Sequence, residues 1–189
     1  MPDEQDTISY QQLVEALHKL VPDEEFRAKY DYTIPGYYAL TINAFDFRWF
    51  FGKVLGNEMH LNEHRRIAQQ VWQSLPEKFP QIRLHEYVFM PNHMHGIVEL
   101  MDVEGSDSAR KISLWEVIRH FKAKTTYNIR HSEGRPWFAW QDGSWKTVLY
   151  NDKILYYMRR YIINNPVNWR EDKLYKKSLR GGQYSKHER

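Results

Sequence analysis

The chain has no cysteine. Disulfides, thiolate metal sites and a cysteine nucleophile are therefore excluded, and a reducing, cytoplasmic location is the expectation. Any metal has to be held by nitrogen and oxygen ligands. No apolar run approaches the ~18 residues that a membrane-spanning helix requires. The opening MPDEQDTISY is acidic where a secretory leader is basic and then apolar, so neither export nor a membrane partner is expected. An excess of one charge is also missing, the net charge being only +3, but the charges are unevenly placed. Residues 1–25 carry seven acids and one Lys, whereas residues 173–189 carry six Lys or Arg and one Glu. A basic tail on a mildly basic body suits a polyanionic partner, although a tail that is merely solvated has the same composition.

The 42% of hydrophobic residues, with 15% aromatic, is enough for a folded core, and 189 residues suit one domain with extensions. Ser9 and Gln12 form a capping-box pattern, after which Leu13, Val14, Leu17, Leu20 and Val21 repeat at helical spacing up to Pro22. From Gly36 to Asn43, YYALTIN reads as a strand. An aromatic stretch and a turn at Gly56–Asn57 follow. Asn62 then caps a helix with Ile67, Val71, Trp72 and Leu75 on its apolar side, ending before Pro76. RLHEYVFM and HMHGIVEL read as neighbouring strands broken at Pro91–Asn92. After a polar loop at 102–109, Ser113 and Glu116 make a second capping box, opening a helix with Leu114, Val117, Ile118 and Phe121 on one side and Arg119, Lys122 and Lys124 on the other. Then come an aromatic loop (Trp137, Phe138, Trp140, Trp145), a short strand KTVLY, and a helix capped by Asp152 that stops at Asn164-Asn165-Pro166. The order β-α-β-β-α-β plus a last helix predicts an α+β fold: a ferredoxin-like, RRM-like split βαβ with a four-stranded antiparallel sheet backed by helices.

Two pairs of residues could carry chemistry. His93 and His95 alternate on a strand, so both leave the same face and can converge on one cation, while Met94 points away. Two structurally bonded histidines would show the same spacing. Tyr161 and Asn165 lie one turn apart at the end of the last helix, so a phenol and a carboxamide oxygen can reach one point; a core tyrosine before a helix stop reads identically. Of the neighbouring tyrosines, Tyr156 points off this face and Tyr150 precedes the helix. Tyr157 is on the face but roughly 12 Å from Asn165 along the axis, against roughly 6 Å for Tyr161.

Taken together, YVFMPNHMHGIVEL and YIINNPVNW resemble the REP-associated tyrosine transposases, a branch of the single-tyrosine HUH transposases. The resemblance runs from about Tyr37 to Trp169 and includes Phe50-Phe51-Gly52 and Trp140-Gln141. It implies that His93, His95 and Asn165 hold a divalent metal, Mg²⁺ or Mn²⁺. It also implies that Tyr161 is the nucleophile, carried on the extra C-terminal helix, and that DNA is cut and rejoined through a 5′-phosphotyrosine. Residues 36–172 then form the transposase domain, 1–35 an N-terminal extension with its amphipathic helix, and 173–189 a basic tail. The expected partner is single-stranded or hairpin DNA of the REP type, bound by a monomer or a homodimer. Arg119, Lys122, Lys124, Arg159 and Arg160 are candidates for phosphate contacts, and Trp140 and Trp145 for stacking on unpaired bases, with a local hydrophobic cluster as the other reading of the aromatics. The chain departs from the family after Trp-Gln, where two aromatics, an acid and a His are usual and Ser144, Trp145, Lys146 and Thr147 stand instead. Two other functions remain open on the residues alone: a non-catalytic hairpin DNA or RNA binder that uses the sheet, and a metal-dependent nuclease in which water attacks.

Overall fold

The structure is a computed structural model and describes residues 8–55, 58–102, 111–134 and 136–180. The Gly56–Asn57 turn, nearly all of the polar loop at 102–109 and the end of the basic tail lie outside these residues.

The chain opens with α1 (Tyr10–Leu20) and α2 (Glu24–Lys29). In α1 both hydrogen bonds of the Ser9–Gln12 capping box are made. The core sheet contains β1 (Gly36–Asn43), β4 (Ile82–Met90), β5 (His93–Leu100) and β6 (Trp145–Val148), in the order β4-β5-β1-β6, with β1 antiparallel to both neighbours and β4 antiparallel to β5. This is the four-stranded antiparallel sheet expected of a split βαβ. Between β1 and β4 lie the hairpin β2 (Gly52–Leu55) with β3 (Glu58–Leu61), then α3 (Glu63–Gln73) and the single turn α4 (Leu75–Lys78). The hairpin was not foreseen, because its strands are only four residues long and alternate weakly. Asn62 caps α3 through the Arg65 amide, and the Ser113–Glu116 box opens α5 (Leu114–Arg130). The last core helix is α6 (Asp152–Asn164). Its N-cap is Asn151, whose side chain accepts from the Ile154 amide, rather than Asp152, which falls inside the first turn.

Strand alternation sends Tyr38, Leu40, Ile42, Met94 and Val98 to one face of the sheet, where α3 and α5 cover them with Trp72, Val117 and Phe121. Gly96 makes this packing possible. A Cβ there would lie 2.8 Å from the Trp72 ring, which rests directly on the strand. Ala39 and Ile97 face the other way, and Ile154, Met158 and Ile162 of α6 with Leu13 and Leu17 of α1 cover them. The sheet is thus helix-covered on both faces. An open sheet surface of the kind RRM domains present to RNA is not available at its centre, which removes the physical basis for a binder that works from the bare sheet.

After α6 the chain reverses through a 3₁₀ turn at Trp169–Glu171 into α7 (Lys173–Arg180), the first half of the basic tail. Trp169 stacks edge-on against Trp49 and Tyr175, and the Trp49 indole donates to Ser178 Oγ at 3.2 Å. These contacts, with Asn92 donating to Leu174 O, bring α7 back to the β4–β5 turn.

Candidate metal centre and tyrosine site

The β4–β5 connection is two residues long, with Met90 paired to His93. Its backbone carbonyls are taken by neighbouring amides, Asn92 O by Ala44 and Pro91 O by Phe51. Buried Asn92 then does two things with its carboxamide. Its Nδ2 donates to Leu174 O in α7 at 3.0 Å, which orients its Oδ1 toward His93 Nδ1 at 2.7 Å. An amide oxygen only accepts, so His93 carries its proton on Nδ1 and presents the Nε2 lone pair.

His95 sits two residues on and on the same face, with Nδ1 2.8 Å from Thr41 Oγ1 on β1 and Nε2 3.0 Å from His93 Nε2. Both rings are buried, at 0% and 6% exposure, and burial lowers both histidines from the ordinary value to about 3. They are therefore neutral at physiological pH, the form in which imidazole binds a metal. Asp172 is the third member, its Oδ2 3.9 Å from His93 Nε2 and its Oδ1 accepting from the Leu174 amide at 2.6 Å. Ligand atoms of His93, His95 and Asp172 all lie within 4.8 Å of one another.

Tyr161 approaches from α6. Its hydroxyl is 3.5 Å from His95 Nε2, and the two rings meet edge-on at 5.2 Å. Burial first, and then the Asp172 carboxylate, push its phenol up to about 12, against hydrogen bonds from Asn165 and Tyr10 that pull it down. Fully buried Asn165 donates from Nδ2 to Tyr10 Oη at 3.4 Å, and Tyr10 stacks on Tyr161 at 5.7 Å with 15° between the rings. Burial is also the main reason that the Tyr10 phenol is raised far above its ordinary value.

Two buried oxygens here have no hydrogen-bond partner, Asn165 Oδ1 and Asp172 Oδ2. Buried acceptors left unpaired cost roughly 1–3 kcal/mol each. Beside Asp172 Oδ2, two neutral imidazoles turn their Nε2 atoms toward each other. Asn165 Oδ1, Asp172 Oδ2 and the His93 Nε2 lone pair are thus three acceptors with a single ring proton, between the imidazoles, to serve them, and two imidazoles with one carboxylate and one carboxamide suit Mn²⁺ or Zn²⁺ at least as well as Mg²⁺. The residues present fit a divalent metal.

A cavity of about 660 Å³ opens at this point, walled by Tyr10, Thr41, His95, Trp145, Tyr161 and Asp172, with Arg27, Lys173 and Lys177 at its border. Trp145 belongs to it, with Arg27 over its ring at 5.6 Å. Trp140 does not. It is 8% exposed and packs among Phe51, Phe121 and Phe138 in the core, so the proposed base-stacking role is corrected to a structural one. Arg119, Lys122 and Lys124 lie on α5, across the sheet from the metal cluster. Arg119 and Lys122 border a separate groove of about 960 Å³ that also involves exposed Trp115 and Tyr127. Lys122 is committed to the carbonyls of Gln141 and Gly143. Arg159 pairs with Glu86 at 3.2 Å, and Arg160 donates to Tyr156 Oη at 2.9 Å. In the departure from the family pattern, Lys146 lies over the Trp115 ring at 3.3 Å, and burial pushes its amine down to about 8.

The structure thus brings His93, His95 and Tyr161 together, and ties Asn165 to them through Tyr10, which stacks on Tyr161. Sequence reasoning missed Asp172 and Tyr10. Asp172 follows the stop of α6 and reads as an ordinary cap before the basic tail, and Tyr10 lies in an extension far from both motifs. Only the chain reversal at Trp169–Glu171 and the docking of α1 bring them in.

A split βαβ sheet with a His-x-His strand and a tyrosine helix is the class of fold defined here. The same fold occurs in a REP-associated tyrosine transposase solved bound to a REP hairpin, matched at a TM-score of 0.52 and 20% identity over 75% of this chain and 72% of that one. In sequence, the chain is 30% identical over 160 residues to a protein of Haemophilus influenzae described as uncharacterised, covering 77% of this chain and 88% of that protein. The chain belongs to that protein's family. No family model matches it.

Proposed function

We propose that the chain is a divalent-metal-dependent DNA strand transferase of the transposase kind, acting on single-stranded or hairpin DNA through a covalent phosphotyrosine at Tyr161. Residues 36–172 form its catalytic unit, with 1–35 and 173–189 as accessory segments. The observation that carries this reading is the convergence of two imidazole Nε2 atoms, the Asp172 carboxylate and the Tyr161 phenol beside one cavity, with Asn165, whose Oδ1 is buried and unpartnered, one helical turn on from Tyr161. A nuclease that uses water has no need of the phenol, and a pure binder has no need of the cluster.

His93, His95, Asn165 and Asp172 would hold the metal. Bound there, it would polarise a scissile phosphate and stabilise negative charge on the phosphate and on the phenolate. Tyr161 Oη forms a bond to phosphorus as the bond from phosphorus to the 3′ oxygen breaks, and the proton lost by the phenol balances the one gained by the 3′-hydroxyl. Because the ester energy is preserved in the phosphotyrosine, the step reverses with another 3′-hydroxyl and without a nucleotide cofactor. The hydrogen bonds from Asn165 and Tyr10 stabilise the phenolate oxygen. Asp172 opposes it until its charge is neutralised, which makes a phenol near pKa 12 responsive to a cation.

Incubation of the protein with labelled hairpin DNA and Mn²⁺ should give a denaturation-resistant protein–DNA adduct that chelator or Tyr161→Phe abolishes, with DNA binding retained. Cleavage by Tyr161→Phe at the wild-type rate would replace this reading with hydrolysis by water. Binding without any cleavage by the wild type would replace it with a non-catalytic module.

A further inference from the structure

The N-terminal helix α1 contributes a side chain to the catalytic centre. Its capping box fixes the first turn, and Leu13 and Leu17 bury against Ile154, Met158 and Ile162 of α6. Its far end is tied by Tyr150 Oη donating to Leu20 O at 2.8 Å. Tyr10, the first residue of the helix, is thereby laid on the Tyr161 ring, where it accepts from Asn165 Nδ2.

That hydrogen bond has a directional consequence. A carboxamide has one donor end and one acceptor end, and nothing about its shape decides which atom takes which position. With Nδ2 held by Tyr10 Oη and turned also to the Tyr161 phenol, the opposite atom, Oδ1, is the one left buried and unpartnered. Rotated by 180°, the side chain would offer a cation two N–H donors and repel it. We propose that Tyr10 is a positioning residue: its hydroxyl selects the metal-binding orientation of Asn165, so the N-terminal helix completes the site. The inference rests on the reading of His93, His95, Asn165 and Asp172 as a metal centre.

Removing a hydrogen-bond partner that orients a ligand typically costs 10–100-fold in metal affinity. Free Mn²⁺ is counted by its electron paramagnetic resonance signal during titration of the full chain. Tyr10→Phe, which keeps the ring and its stacking, should weaken Mn²⁺ binding roughly tenfold. Tyr150→Phe, which loosens the far end of α1 without touching Asn165, should leave it unchanged. In an Asn165→Ala background, Tyr10→Phe should have no further effect. Wild-type affinity in Tyr10→Phe overturns the inference while leaving the metal centre standing. Equal losses in Tyr10→Phe and Tyr150→Phe also overturn it, since docking of the helix would then suffice as the cause. A wild type that takes up no Mn²⁺ overturns the metal centre and this inference together.

Discussion

Two neutral imidazole nitrogens 3.0 Å apart in a buried site repel each other unless one carries a proton toward the other or a cation lies near both. His93 is fixed as an acceptor by Asn92, so in the metal-free protein His95 must donate from Nε2, with its Nδ1 accepting from Thr41. With Nε2 given to a metal, the neutral ring would carry its proton on Nδ1 instead, and the Thr41 hydroxyl would turn to accept it. Thr41 is thus a switchable partner where Asn92 is a fixed one. The same burial makes the pair a liability in acid. Both histidines are lowered from their ordinary value to about 3 in the folded state, so between about pH 6.5 and 3 the unfolded chain binds protons that the folded chain refuses. Stability is therefore full above pH 6.5 and is lost as the pH falls. In chelator, the melting temperature should drop from pH 7 to pH 5, and the drop should be clearly smaller in the double variant His93→Gln/His95→Gln. An equal drop in wild type and variant would show that other groups set the acid sensitivity. The spacing of the two histidines was legible in the sequence, but their tautomers were not, because Asn92 is oriented by a carbonyl of α7, 82 residues away.

Elements that begin with a local chemical signal are the ones the sequence discloses best. Ser9 with Gln12 and Ser113 with Glu116 both close their boxes, and Asn62 caps as expected. Local signals fail where two candidates adjoin, as at Asn151 and Asp152, or where a side chain's surroundings come from elsewhere, as with Trp140. Packing of α3 onto β5 depends on a residue whose importance the sequence hides. Gly96 stands between His95 and Ile97, with the histidine face of the sheet on one side and the Trp72 ring on the other. Gly96→Ala places a methyl group 2.8 Å from Trp72 Cζ2, on a ring that is 1% exposed and has no room to withdraw. Overpacking of this kind costs about 1–3 kcal/mol. For a chain of this size each of those kcal/mol lowers the melting temperature by roughly 2–4 °C. Thermal unfolding monitored by circular dichroism should show that loss. A variant as stable as wild type would mean that the ring tilts freely and that the close approach is not a constraint.

At the scale of the whole molecule, two groups of cations lie on opposite sides of the sheet and approach one another along one of its edges. Exposed Arg119 and Lys124 are on the α5 side, with Arg119 in the groove near Trp115 and Tyr127, whereas Lys173 and Lys177 border the cavity that holds Tyr161. Strand β6 is the edge between them, since Ser144 lines the groove and the next residue, Trp145, lines the cavity. On the proposed function, a DNA hairpin would rest its stem phosphates on α5 while an adjoining single strand turned round β6 into the site, a division of labour between holding and cutting. Phosphate contacts are sequence-independent, and each one lost flattens the salt dependence by about one unit of slope. Arg119→Ala with Lys124→Ala should accordingly weaken hairpin binding and reduce the slope of log K against log salt by about 2. Adduct yield at saturating DNA should be unchanged, because neither residue reaches the metal cluster. Lys173→Ala with Lys177→Ala should lower adduct yield even at saturation, since those side chains border the cavity the reacting strand must enter. Salt titrations of binding and adduct gels on the two double variants give four readings. If the α5 variant kept the wild-type slope, the stem would have to lie on the cavity side, and the route round β6 would be abandoned.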